Sequence, residues 1–236
     1  MHDKIQMTPK EINEILVIPA EGLSTPVKPD EAEFIYNFIL KHSITRTLET
    51  GLAYARSASH IMAATGSRHI ACDPFQNNYQ NLGLENVKRL NQTKLLEFYN
   101  DYSHNVLPSL LKNGEEFEFI FIDGDHKFDC ELIDFYYADL LLENNGYVLL
   151  HDTWMRSTRL LMSFIKSNRK NYKSVPTGLK NLALYQKNGN DERNGIHFKE
   201  FYTLRSVLSH YGILYMTKGK SNLLKNMLFK LKELIK

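Results

Sequence analysis

The sequence has little cysteine, almost no net charge and no long apolar run, and each shortage removes a class of protein. The two cysteines in 236 residues, Cys72 and Cys130, stand in different predicted elements without metal-type spacing. That argues against a disulfide framework and for reduced thiols in a reducing compartment. With 29 basic and 27 acidic residues the net charge is only +2, which gives no global reason to expect nucleic acid as a partner. No apolar run approaches the roughly 20 residues of a membrane span. Residues 1–5 carry no apolar h-region, so no signal peptide is expected. Internal repeats and low-complexity tracts are also lacking. Together these absences point to a cytoplasmic protein.

What is present is an ordinary globular composition. Hydrophobic residues make up 43% and charged residues 24%, enough for a sizeable core. The length suits one large α/β domain with elaborations. Residues 1–28 mix polar and apolar positions around Pro19, Gly22 and Pro26 and read as an irregular arm. The domain proper is expected over 29–187, and residues 188–236 form a C-terminal extension.

Within 29–187 strands and helices alternate. Asp30 is the expected N-cap of a first helix, whose apolar face is Phe34, Ile35, Phe38 and Ile39. Strands are expected at 45–49, 69–73, 95–99, 117–123 and 147–150, and helices at 57–64, 84–90, 105–111, 130–142 and 156–167. Asn144-Asn145-Gly146 is the expected stop of the fourth of these helices. Segments 172–175 and 182–186 can add two closing strands, for which an antiparallel direction is open. This rhythm implies a mostly parallel sheet with helices on both faces.

Ligands of open α/β sheets bind outside the carboxyl ends of the strands. Here Glu49, Asp73, Asp123 and His151-Asp152 all stand at those ends. Several carboxylates at one sheet edge are costly unless a cationic or hydrogen-bonding group lies among them. Gly51 lets the chain turn tightly after Glu49, Ala53 and Ala55 keep that turn open, and Ser57 can cap the next helix. Alone this is an eroded glycine loop, and a bare strand-to-helix turn would fit it equally well. Asp73 follows Glu49 by about 24 residues, where a nucleoside site places an acid for ribose hydroxyls. The alternative for Asp73 is a turn cap beside Pro74.

Glu49-Thr50-Gly51, Asp73-Pro74-Phe75, Phe121-Ile122-Asp123-Gly124-Asp125-His126 and His151-Asp152-Thr153-Trp154 occur in this order. The set resembles the class I methyltransferases dependent on S-adenosylmethionine (SAM). The branch it looks most similar to is that of small bacterial O-methyltransferases related to the sugar and macrolide-sugar methylating enzymes. The resemblance covers residues 30–187. It implies an α/β, Rossmann-like fold with a mostly parallel seven-stranded sheet. It also implies SAM over the first strand ends, contacted by Glu49, Gly51, Ala53, Ser57, Asp73, Asp101, Ser103 and Asp123, with segment 100–103 bordering the adenine.

In metal-dependent relatives, acids at the later strand ends hold Mg²⁺. The resemblance therefore implies a divalent cation on Asp123, His151 and Asp152. His151 stands where such relatives carry a second acid, so it can serve instead as a nitrogen ligand or, like His126, as a general base. Asp123, His151 and His126 are the catalytic candidates. The acceptor implied is a hydroxyl of a small molecule, plausibly a sugar or glycoconjugate. Two other classes stay open: a SAM-binding protein without turnover, and a nicotinamide-dependent oxidoreductase. The latter would normally show Gly-x-Gly-x-x-Gly, which this loop lacks.

In the extension, Ser221 can cap a last helix with Leu223, Leu224, Met227, Leu228, Leu231, Leu234 and Ile235 on one stripe, flanked by lysines. Such a helix either docks on the core or a second subunit, or lies on the anionic inner face of a membrane.

Overall fold

The computed structural model describes residues 7–20, 27–204 and 207–208. The tail stripe beginning at Ser221 lies outside them. Among the described residues no helix is long and apolar enough to cross a membrane.

The arm contains a helix that composition did not suggest. Helix α1 (Pro9–Ile15) starts at a capping box in which Thr8 and Glu11 exchange side-chain and backbone bonds, with Pro9 at the first position. Its Ile12 is fully buried. Just beyond it, Asn86 accepts from Val17 N at 2.9 Å and donates to Val17 O at 3.0 Å. The arm is thereby fastened to the domain.

Helix α2 (Pro29–His42) begins two residues earlier than expected, because Pro29 takes the first helical position and Lys28 the cap. Asp30 and Glu31 then lie in the first turn, where the helix dipole favours carboxylates.

Five parallel strands follow: β1 (Thr47–Thr50), β2 (His69–Cys72), β3 (Leu96–Tyr99), β4 (Phe117–Ile122) and β5 (Leu142–Leu150). Between them run α3 (Arg56–Thr65), α4 (Leu82–Arg89), α5 (Ser103–Lys112) and α6 (Phe128–Leu141). Helix α7 (Arg156–Asn168) leads to β6 (Tyr172–Val175) and β7 (Ala183–Lys187). The strand order is β3-β2-β1-β4-β5-β7-β6, and β7 runs antiparallel to both its neighbours. This is the seven-stranded, mostly parallel sheet expected, closing strands included.

One boundary differs in kind. Asn144-Asn145-Gly146 does not stop α6, which ends at Leu141 where β5 pairs Leu142 with Phe117. The three residues lie inside β5, where the register with β4 shifts between Phe117 and Phe119.

Beyond that shift, strand alternation sorts the side chains of β4. Ile120 and Ile122 pack with Leu48, Val148 and the α5–α6–α7 face, whereas Phe119 and Phe121 pack with the α1–α2–α3 face. Both faces of the sheet are therefore covered, and the polar strand ends become the available site.

Candidate functional site

The turn after β1 carries three positive φ angles within five residues: Gly51 (87°), Ala53 (44°) and Ala55 (60°). Gly51 meets a second demand, since a Cβ there would lie 2.1 Å from the Asp123 carbonyl oxygen. The backbone of β1's end thus lies directly against that of β4's end, as only glycine permits.

Asp73, at the end of β2, braces this turn. Its Oδ2 accepts from Leu52 N (3.1 Å), Ala53 N (2.9 Å) and Gln76 Nε2 (2.9 Å), and its Oδ1 from Phe75 N (2.7 Å). The turn-organising reading of Asp73 is thus the one its bonds show. Oδ2 holds the loop, Oδ1 takes one donor, and the residue is among those lining a cleft.

That cleft runs along the strand ends from Gly51 and Ala53, past Asp73 and Ser103, to Asp123 and His126. Phe75 and Tyr102 stand at it with rings edge-on at 5.8 Å. Three of the residues expected at the cofactor do not line it. Glu49 is fully buried behind the turn, with His69 Nε2 3.7 Å away. Burial pushes its carboxyl above the usual range, against the opposing pull of His69 and Ser57. Ser57 is itself buried at the start of α3. Asp101 is exposed and organises the first turn of α5, accepting from Tyr102 N (2.7 Å) and Asn105 Nδ2 (2.9 Å).

At the other end of the cleft, Asp123, His126 and Asp152 each bring one ligand-type atom to within 4.8 Å of the others. His126 Nε2 is 3.3 Å from Asp152 Oδ2, and its Nδ1 is 3.7 Å from Glu131. Glu131 raises the His126 pKa, burial opposes it, and Asp123 and Asp152 add to the rise. Asp152 has φ 50°, a strained conformation for a residue with a side chain. Its Oδ1 accepts from Trp154 Nε1 (2.9 Å) and Asn181 Nδ2 (3.2 Å). Trp154 leaves most of its ring exposed.

His151 has a different place from the one expected. It is buried, with Nδ1 2.8 Å from Asp123 Oδ1 and Nε2 3.0 Å from Glu31 Oε2. Burial pulls its pKa down, but Asp123, Glu31 and Asp152 more than reverse this, to about 10. With both ring nitrogens engaged on carboxylates it has no lone pair for a metal or an acceptor proton. His126 stands in its place in the three-residue cluster. Burial in turn raises Asp123, against the pull of His151.

Glu31 and Asn181 were missed in the sequence. Glu31 had one signal, its position three residues after a helix cap, which speaks of helix starts rather than of a site. Asn181 had none.

Residues 48–153 match the family model described as a methyltransferase domain. A search of curated proteins finds no sequence match. Among solved structures, the chain is similar to the O-methyltransferase of Bacillus cereus in complex with SAH. The two share 15% identity over 77% of this chain and 90% of that one, with TM-score 0.62. It is similar too to the O-methyltransferase TomG of Streptomyces achromogenes, involved in tomaymycin synthesis and solved with SAM. Identity there is 15% over 80% of this chain and 100% of that one, TM-score 0.61. SAH-bound PaMTH1 of Podospora anserina matches at 12% identity over 76% and 87%, TM-score 0.59. At these identities the likeness establishes the shared fold.

Proposed function

We propose that the chain, a SAM-dependent methyltransferase of the class I fold, methylates a hydroxyl oxygen of a small molecule, with a sugar or glycoconjugate as the acceptor class. One observation carries this reading. Asp123 and His126 belong both to the cleft that starts at the Gly51 turn and to the cluster with Asp152. A methyl donor in the first half would therefore end beside a group of acids and an imidazole that can handle a hydroxyl proton.

The transfer is a displacement in which the acceptor oxygen bonds to the methyl carbon as the sulfur–carbon bond breaks. Alignment and loss of the hydroxyl proton are what the protein must supply. The Gly51 turn and Asp73 hold the donor's side of the cleft. Asp123 keeps one oxygen on His151, while its other oxygen has no hydrogen bond among the described residues. Without a cation, Asp123 and His126 are the groups that would take the proton.

Two carboxylates and an imidazole this close fit a divalent cation, Mg²⁺ or, given the nitrogen donor, Mn²⁺. Asp123, His126 and Asp152 would hold it, and its chemistry there is to lower the pKa of a bound hydroxyl. The exposed Trp154 ring, tethered to Asp152, offers a flat apolar face beside the cluster, which suits the apolar side of a sugar ring.

Transfer of labelled methyl from SAM to a panel of glycosides and other hydroxyl compounds tests the proposal. Turnover is expected that chelation abolishes and Mg²⁺ or Mn²⁺ restores. Turnover indifferent to chelator removes the metal and leaves His126 as base. SAM binding without turnover on any acceptor favours a catalytically inactive binding protein.

A further inference from the structure

Glu31 lies on α2, ahead of the segment 48–153 that matches the methyltransferase domain, yet it reaches the end of β5. Its carboxylate is buried and engaged twice through one oxygen, by Lys28 N at 2.8 Å and by His151 Nε2 at 3.0 Å. The ring of His151 spans the distance between Glu31 and Asp123. Each of its nitrogens lies within hydrogen-bond distance of a carboxylate oxygen, an arrangement that a doubly protonated ring satisfies. A ring held at both ends cannot flip.

We propose that Glu31 is a positioning residue of the active site. By fixing Nε2 of His151 it keeps Nδ1–H on Oδ1 of Asp123, so that the other oxygen of Asp123 is presented to His126 and Asp152. The inference rests on the reading of Asp123, His126 and Asp152 as a cation site. Asn181, whose Nδ2 is 3.0 Å from the same Nε2 and 3.2 Å from Asp152, fills the remaining side but brings no charge. Removing Glu31 leaves Nε2 of His151 with no carboxylate to accept from it. Such supporting contacts behind a metal ligand typically govern affinity by about 10–100-fold.

The test uses the full chain and three readouts, none of which needs the acceptor. In ¹⁵N-histidine NMR the wild type should show two exchange-protected ring N–H protons on His151, assigned with His151→Gln. Glu31→Ala should keep one and lose the Nε2 proton. Glu31→Gln, which still offers an oxygen to Nε2 and to Lys28, should keep both. Mn²⁺ affinity, followed by electron paramagnetic resonance, should fall about 10–100-fold in Glu31→Ala and recover to within about threefold in Glu31→Gln. SAM affinity by calorimetry should stay within about twofold in both, which separates positioning from a general loss of structure.

Two protected protons persisting in Glu31→Ala would overturn the proposal, for the Nε2 proton would then not depend on Glu31. Equal Mn²⁺ affinity in Glu31→Ala and wild type would do the same. If the wild type binds no Mn²⁺, the cation site fails as a reading, and the His151 protons decide the positioning role by themselves.

Discussion

Gly51 answers to two constraints at once, a left-handed backbone and a neighbouring carbonyl where a Cβ would have to be. Alanine there must push β1 away from β4 or change the turn that Asp73 braces. Gly51→Ala should cost about 3 kcal/mol or more, roughly 6–12 °C in Tm for a chain of this size. A variant melting within about 2 °C of wild type would show that the close approach is not held as described. The residue type was legible in the sequence, because a glycine after a strand-ending acid marks a turn. The contact with Asp123 was not, since it joins residues 72 positions apart and depends on β1 pairing with β4. Asp73 was half legible in the same way. Its place at a strand end was readable, whereas the four donors it gathers come from the folded turn.

Helix α6 packs a carboxylate under the cleft. Asp134 is almost fully buried, near Gly124 and beside the hydroxyls of Ser103 and Thr50. Burial raises its carboxyl from 3.8 to about 6, with Ser103 and Thr50 pulling the other way. Between about pH 4 and 6 the folded chain thus binds more protons than the unfolded one, and stability falls as pH rises through that window. Above it a buried charge weakens the packing of α6 on β1 and α5. Asp134→Asn should therefore be the more stable protein at pH 7.5, by up to about 3 kcal/mol in urea unfolding, with the gap closing toward pH 4. An equal gap at both pH values would mean that charge is not the cost. Other elements were readable to differing degrees. The run 117–122, aromatic and β-branched except at Glu118, read as a strand. Helix α1 went unread although Thr8-Pro9-Lys10-Glu11 is a capping box, because a seven-residue helix with one buried side chain leaves almost no periodic signal. The start of β5 was misplaced, at Tyr147 instead of Leu142, because strand pairing at Leu142 overrode the turn propensity of Asn144-Asn145-Gly146.

For the molecule as a whole, the sheet order gathers Asp73, Asp123, His126 and Asp152 at one edge from segments scattered over about a third of the chain. That collection was visible in advance, since the alternation of strands and helices places every strand end on the same side. The division of labour among the histidines was not. It turns on α2 crossing that edge with Glu31 and on the β6–β7 connection carrying Asn181, and neither crossing leaves a mark in the spacing of residues. On the proposed function, the cleft has its donor end at Gly51 and Asp73 and its reactive end at Asp123 and His126. Calorimetric titration of SAM into the wild type and Asp73→Ala tests that assignment most directly. Binding in the micromolar range is expected, weakened about 10–100-fold by the substitution, the loss of one or two charge-assisted hydrogen bonds. No heat of binding to the wild type at high micromolar SAM, or equal affinity in the two proteins, would contradict it.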